Sequence, residues 1–205
     1  MTRRGRKKNT RLLPIIGSIL ASMLVIGVLV YIGLVPGDFR PFARPIQAPP
    51  ASAGFVLISP AFQQGGQIPA RYTCYGDNVS PPLAWGPPPS GTISLALIVD
   101  DPDSPQGDWT HWMVIGLPPK TRTLTEDYQL EPRQATSIVI LPNSWLERKY
   151  NGPCSPLSEL HTFYFRLYAL DRSMNDSAIT DASSLTQAMA GHILGTAELI
   201  GKYGR

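Results

Sequence analysis

Of the three histidines in this 205-residue chain, two stand where imidazole chemistry has partners close at hand. His111 lies in Trp109-Thr110-His111-Trp112, shortly after the run Asp100-Asp101-Pro102-Asp103-Ser104-Pro105. His161 opens His161-Thr162-Phe163-Tyr164-Phe165 and follows Tyr150-Asn151-Gly152-Pro153-Cys154-Ser155-Pro156. Each pairs a Pro/Gly-rich turn with a histidine at the start of an expected strand. Proline fixes its own φ and restricts the residue before it, so Asp101-Pro102-Asp103 is steered into a rigid turn that displays carboxylates at a sheet rim. Aspartates in turns ordinarily cap backbone N–H groups. Here a nearby histidine gives them a second role, because a carboxylate beside an imidazole favours its charged form, which donates from both nitrogens.

The same four side chains, Asp101, Asp103, His111 and His161, are also legitimate zinc ligands. The alternative reading is therefore a metal-dependent or acid–base hydrolase. No His-Glu-x-x-His and no Gly-x-Ser-x-Gly occurs, so a binding module without catalytic residues or cofactor is the leading expectation. A purely structural envelope protein is the third. His192, beside Gly191, reads as a packing or surface residue. Trp85, Trp109 and Trp112 are divided evenly between pocket lining and core. Asn78-Val79-Ser80 and Asn175-Asp176-Ser177 fit the glycosylation pattern but carry no weight. Cys74 and Cys154 are either bridged or packed as thiols.

The elements that must position these residues follow from the pattern. Short apolar runs split by Pro, Gly, Asn and Asp predict an antiparallel all-β domain from Phe55 onward. The expected strands are Phe55–Ser59, Ile93–Asp100, His111–Leu117, Ile138–Leu141 and His161–Leu170, with a short helix from Ser184 to Gly191 and a closing strand at Thr196–Tyr203. In the last of the five central runs, Phe163, Phe165 and Leu167 fall on one face and Tyr164, Arg166 and Tyr168 on the other.

Charge and hydropathy divide the rest. Six of the eighteen Lys and Arg lie within the first eleven residues. The remainder holds twelve cations against fifteen carboxylates, a net charge of −3, which argues against a nucleic-acid surface. No charge occurs from Leu12 to Gly37. A helix needs about 20 apolar residues to cross a bilayer. The expected organisation is a basic cytoplasmic tail (1–11), a transmembrane signal anchor (12–35), a Pro-rich linker (36–54) and an extracytoplasmic domain (55–205). A cleaved signal peptide is the weaker alternative, since its apolar core is shorter, about 7–15 residues.

Several separated motifs carry a resemblance, in order along the chain. They are Ile68-Pro69-Ala70-Arg71-Tyr72-Thr73-Cys74, Gly76-Asp77-Asn78 with Ser80-Pro81-Pro82-Leu83 and Trp85, and Asp101-Pro102-Asp103 with Pro105. His111-Trp112, Gly152-Pro153-Cys154 with His161, and Leu167-Tyr168-Ala169-Leu170-Asp171 complete the set. Over about Phe55 to Arg205 the chain resembles the phosphatidylethanolamine-binding protein family, in its bacterial Raf kinase inhibitor-like branch. The resemblance implies a mostly β fold, an antiparallel sandwich with a short C-terminal helix. It also implies a rim pocket for phosphate, phosphoester, carboxylate or phospholipid-headgroup anions. Carried over position by position, that pocket falls on Asp101, Asp103, His111, Gly152 and His161: His111 and His161 would hold the anion's oxygens, Asp101 or Asp103 would orient a ring from behind, and backbone N–H groups around Gly152 would add donors. A regulatory or inhibitory role toward a protein partner would go with it. Two departures stand out: Phe163 where the family usually has tyrosine, and Ser155 and Ser158 in the loop after Gly152.

Overall fold

The computed structural model describes residues 54–130, 137–155, 159–174 and 177–204. The expected tail, anchor and nearly all of the linker, together with Ser158 and the Asn175 acceptor, lie outside the described residues. Among the described residues no helix is long and apolar enough to cross a membrane.

Among the described residues, nine strands form two sheets. They are β1 (Leu57–Ile58), β2 (Gly66–Gln67), β3 (Leu83–Trp85), β4 (Ser94–Asp101), β5 (Trp109–Leu117), β6 (Thr123–Leu124), β7 (Val139–Leu141), β8 (His161–Leu170) and β9 (Ile193–Tyr203). The larger sheet has the order β2-β9-β8-β4-β5-β7 and the smaller β1-β3-β6. All pairings are antiparallel except β2 with β9, which corrects the wholly antiparallel expectation.

Alternation along the strands decides which side of the large sheet each residue serves. Leu97, Val99, Trp112, Val114, Phe163, Phe165, Leu167 and Leu199 form one core with Leu57, Leu83, Trp85 and Leu124 of the small sheet. Ala96, Ile98, Met113, Ile115 and Tyr168 point the other way, onto Leu185 and Met189 of the helix α1 (Ala182–Met189). On that outer face Arg166 makes a two-pronged contact with Asp100 at 2.8 Å and reaches Glu198 at 3.0 Å. Burial outweighs the attraction of Arg166 and pushes the Asp100 carboxyl up to about 6.

The strand expected at His161–Leu170 is found with those bounds. Strands β2, β3 and β6, of two or three residues, went unpredicted because alternation needs more residues to register. The helix begins earlier than expected because Asp181 caps it: its carboxylate accepts from Ser184 N at 2.8 Å, and Asp181 N donates to Ser184 Oγ at 3.0 Å. It stops at Met189 rather than Gly191, which sits at φ +79° and marks the reversal into β9.

Candidate functional site

His111 and His161 come from strands that are not neighbours, since β4 separates β5 from β8. Two local devices bring them together. The first is a bulge. Trp112 is opposite Val99 and Thr110 is opposite Asp100, so β5 advances two residues where β4 advances one. His111 is the extra residue, and a bulge of this kind re-aims a side chain. It turns His111 to the same face as Phe163, whose ring it meets edge-on at 5.2 Å and 83°. The second device is the end of β4. Asp101 follows the inner-face residues Leu97 and Val99 in the alternation, and its Oδ2 accepts from His161 Nδ1 at 2.7 Å. The His161 ring stacks on Phe163 at 6.3 Å and 22°. Phe163, fully buried, therefore packs against both imidazoles.

The surrounding contacts fix this geometry. Asp101 Oδ1 accepts from Asp103 N at 3.0 Å, and Asp103 Oδ2 accepts from Thr162 N at 2.8 Å. Both aspartates stand behind the rings as turn-holders, and Asp101 orients His161. His111 Nδ1 donates to the backbone carbonyl of Asn151 at 2.6 Å, and Asn151 N returns a bond to His111 O at 3.2 Å. Gly152 is needed for close approach: a Cβ there would lie 2.2 Å from Tyr72 O. Its N–H is taken by Asn78 Oδ1 at 2.7 Å. The expected anion donor at Gly152 is thus engaged inside the protein, a correction to the sequence reading. The same bond commits the Asn78 side chain within the fold.

The loop carrying Asn151 and Gly152 is held from several directions. Cys74 and Cys154 form a disulfide, and Cys74 N donates to Pro153 O at 3.0 Å. Tyr150 OH donates to Tyr72 O at 2.7 Å, and Asn151 Nδ2 donates to Glu147 Oε2 at 2.6 Å. Three residues that the sequence reading did not assign complete the surroundings. Asn151 was visible only as part of a turn, because a carbonyl role has no sequence signature. Trp145, 39% exposed, meets the His111 ring at 5.1 Å and the Trp109 ring at 5.3 Å. Glu159 places Oε2 3.4 Å from His161 Nε2 while its side chain is 62% exposed. Its position two residues before His161 was the available clue. Trp85 and Trp112 belong to the core, whereas Trp109 stands beside the site through Trp145.

The two imidazoles are electrostatically unlike. Burial opposes charging of His161, which is 4% exposed, but the hydrogen bond and charge of Asp101, helped by Glu159 and Asp103, outweigh it and raise the pKa. For His111, 2% exposed, burial dominates and lowers it, despite the Asn151 and Gly152 backbone and the charge of Asp101, with the His161 charge acting in the same sense as burial. Two charged double donors were expected; the structure supports that state for His161 and opposes it for His111. His192, expected as a packing or surface residue, lies on the surface and pairs there with Asp171 at 2.8 Å. A cavity of ≈300 Å³ lies at the other end of β5, around Leu117, Thr121 and Tyr128, and contains none of these groups. Among the described residues no group of three or more His, Cys, Asp or Glu side chains converges in a metal-holding arrangement.

Comparison with known proteins matches residues 58–204 to the family model described as phosphatidylethanolamine-binding protein. A UPF0098 protein of Methanothermobacter thermautotrophicus is 44% identical over 149 residues, covering 73% of this chain and 98% of that protein. One from Chlamydia muridarum is 41% identical over 152 residues, covering 72% and 97%. Among solved structures, a phosphatidylethanolamine-binding protein homologue from Chlamydia trachomatis superposes with TM-score 0.68 at 39% identity, over 75% of this chain and 99% of that one. YbcL of E. coli, described as a new member of the mammalian family, gives TM-score 0.68 at 26% identity with the same coverage.

Proposed function

The chain belongs to the phosphatidylethanolamine-binding protein family, and from that premise we propose that it binds small anions, a phosphate, phosphoester or phospholipid headgroup, between His111 and His161. The observation that carries this reading is the placement of both imidazoles against one side chain, Phe163, with each Nδ1 engaged by the protein. A ligand would then meet the two Nε2 atoms, displacing from that of His161 the exposed Glu159 carboxylate at 3.4 Å. A charged His161 supplies a charge-assisted hydrogen bond, which is about twice as strong as a neutral one. Phe163 adds no hydroxyl between the rings. A neutral hydrogen bond contributes about 1 kcal/mol, so affinity is expected to be several-fold lower than with tyrosine there.

The reading is of a binding protein and not an enzyme. Among the described residues no side chain around the rings is set up as an activated nucleophile, and Asp101 and Asp103 are occupied in holding backbone and His161. Residues 12–35 would anchor the chain in a membrane with the N-terminus cytoplasmic and the domain outside, where the disulfide would be maintained. A protein partner regulated through the rim of the site extends the proposal.

The test is titration of the full chain, in detergent micelles with labelled histidine rings, by phosphate and phosphoethanolamine. Shifts in the His111 and His161 ring signals that saturate are the expected result. Unmoved rings at saturating ligand would end the proposal. Resistance of the chain to alkaline extraction from membranes checks the anchor.

A further inference from the structure

The two Nε2 atoms make unlike demands on a ligand, and that of His161 is met in the protein by the exposed Glu159 carboxylate at 3.4 Å, which a ligand would have to displace. His111 Nδ1 carries the proton that Asn151 O accepts at 2.6 Å. In the neutral ring Nε2 is therefore a lone-pair acceptor, and it has no partner among the described residues. The ring is 2% exposed, yet Nε2 is not among the buried unpaired polar atoms, so it reaches solvent, and a ligand that displaces that solvent without offering a donor leaves the acceptor unmatched at a cost. Burial and the His161 cation both oppose a second proton on His111, and Asp101 only partly offsets them. His161 is the reverse case. Asp101 fixes its Nδ1–H, and the carboxylates of Asp101, Asp103 and Glu159 favour the imidazolium, whose Nε2–H is a donor. Phe163, packed on both rings, contributes neither a donor nor an acceptor.

Resting on the anion-binding reading above, we infer that this site selects anions that present a hydroxyl proton, hydrogen phosphate or a phosphomonoester, over phosphodiesters and sulfate. One ligand oxygen accepts from His161 Nε2–H, and a protonated oxygen of the same group donates to His111 Nε2; a monoester, whose second pKa is about 6, binds in this way as its monoanion and takes up a proton from solvent where it is the dianion. A diester or a sulfate has no proton to offer, so its oxygens face the His111 lone pair. A site built to hydrogen-bond a ligand hydroxyl discriminates strongly against analogues that lack it, because its own buried group is then left unpaired. The monoester class includes free phosphates and lipids with a monoester headgroup, and excludes the diester linkage of most phospholipids.

The experiment compares inorganic phosphate, phosphoethanolamine, glycerophosphoethanolamine and sulfate on the full chain near neutral pH, read from the histidine ring signals and from calorimetry. A preference of roughly tenfold or more for the first two is expected, with His111 neutral in the free protein. Acidification that protonates His111 turns both rings into donors and should shrink that preference several-fold. Equal affinity for all four, or a charged His111 in the free protein near neutral pH, overturns the inference while leaving anion binding intact. Failure of all four to bind instead removes the anion-binding reading itself. Dihexanoyl phosphatidate against dihexanoyl phosphatidylethanolamine separates the sources: the same preference admits the lipid monoester, and its absence beside a preference among the soluble anions confines the class to soluble phosphates.

Discussion

The His161–Asp101 contact ties protonation to folding. His161 has a folded pKa above its unfolded value of about 6.5. The stability this pair contributes is therefore complete below that value and is lost as pH rises through the folded pKa. His111 is shifted down, so its effect has the opposite sign and appears as a loss of stability on acidification below about 6.5. The readout that isolates His161 is the difference between wild type and Asp101→Asn in urea unfolding at several pH values. That difference should be largest on the acid side of the folded pKa and fall as pH rises. The variant should also lower the His161 pKa and weaken phosphate binding tenfold or more, because a hydrogen bond to a charged group contributes about 1.5–3 kcal/mol. Glu159 predicts the reverse. Its carboxylate sits by the nitrogen that an anion would use, and its exposed side chain is free to leave. Glu159→Gln should strengthen phosphate binding several-fold in the same titration, and an unchanged affinity would remove Glu159 from any competition.

The loop of Asn151 and Gly152 is the element on which the His111 tautomer depends. Gly152 lies so close to Tyr72 that any side chain forces the backbone apart. Gly152→Ala should destabilise the domain by about 1–3 kcal/mol, measured by urea unfolding. It should also move Asn151 O away from His111 Nδ1, so the His111 ring signals should change even without ligand. An alanine variant with unaltered stability and His111 signals would mean that the loop adapts, and that its close packing does not set the ring. The bulge on β5 acts at the same scale. Without it, strict alternation places His111 on the side opposite Trp112, under the helix-covered face.

For the molecule as a whole, the Cys74–Cys154 bridge closes a loop across a sequence separation of 80. It joins the segment after β2 to the segment before β8, two parts of the chain that meet only in the folded state. Replacing both cysteines by serine should cost about 2–4 kcal/mol in the unfolding midpoint analysis. The same replacement should weaken phosphate binding, since Pro153 and Gly152 then keep only hydrogen bonds to the facing segment. Full affinity in a chain that has lost that much stability would show that the bridge serves the fold and not the site.

Much of this was legible along the chain. Alternation in Phe163 to Tyr168 gave the two faces of β8, and the spaced motifs led to the family and to Asp101, Asp103, His111, Gly152 and His161. Those signals are local, and they survive in a linear string because a strand's faces and a proline turn each depend on a few adjacent residues. The rest depended on distance. That β5 bulges at His111 follows from its register against β4, and no residue in β5 records it. That Gly152 N–H is taken, that Asn151 supplies a carbonyl, and that His111 is driven neutral while His161 is held charged are all consequences of burial and of neighbours 40 to 74 positions away. Residue types determined which groups were available for chemistry; only the packing of the sheets decided which of their hydrogen bonds were already made and which remained for a ligand.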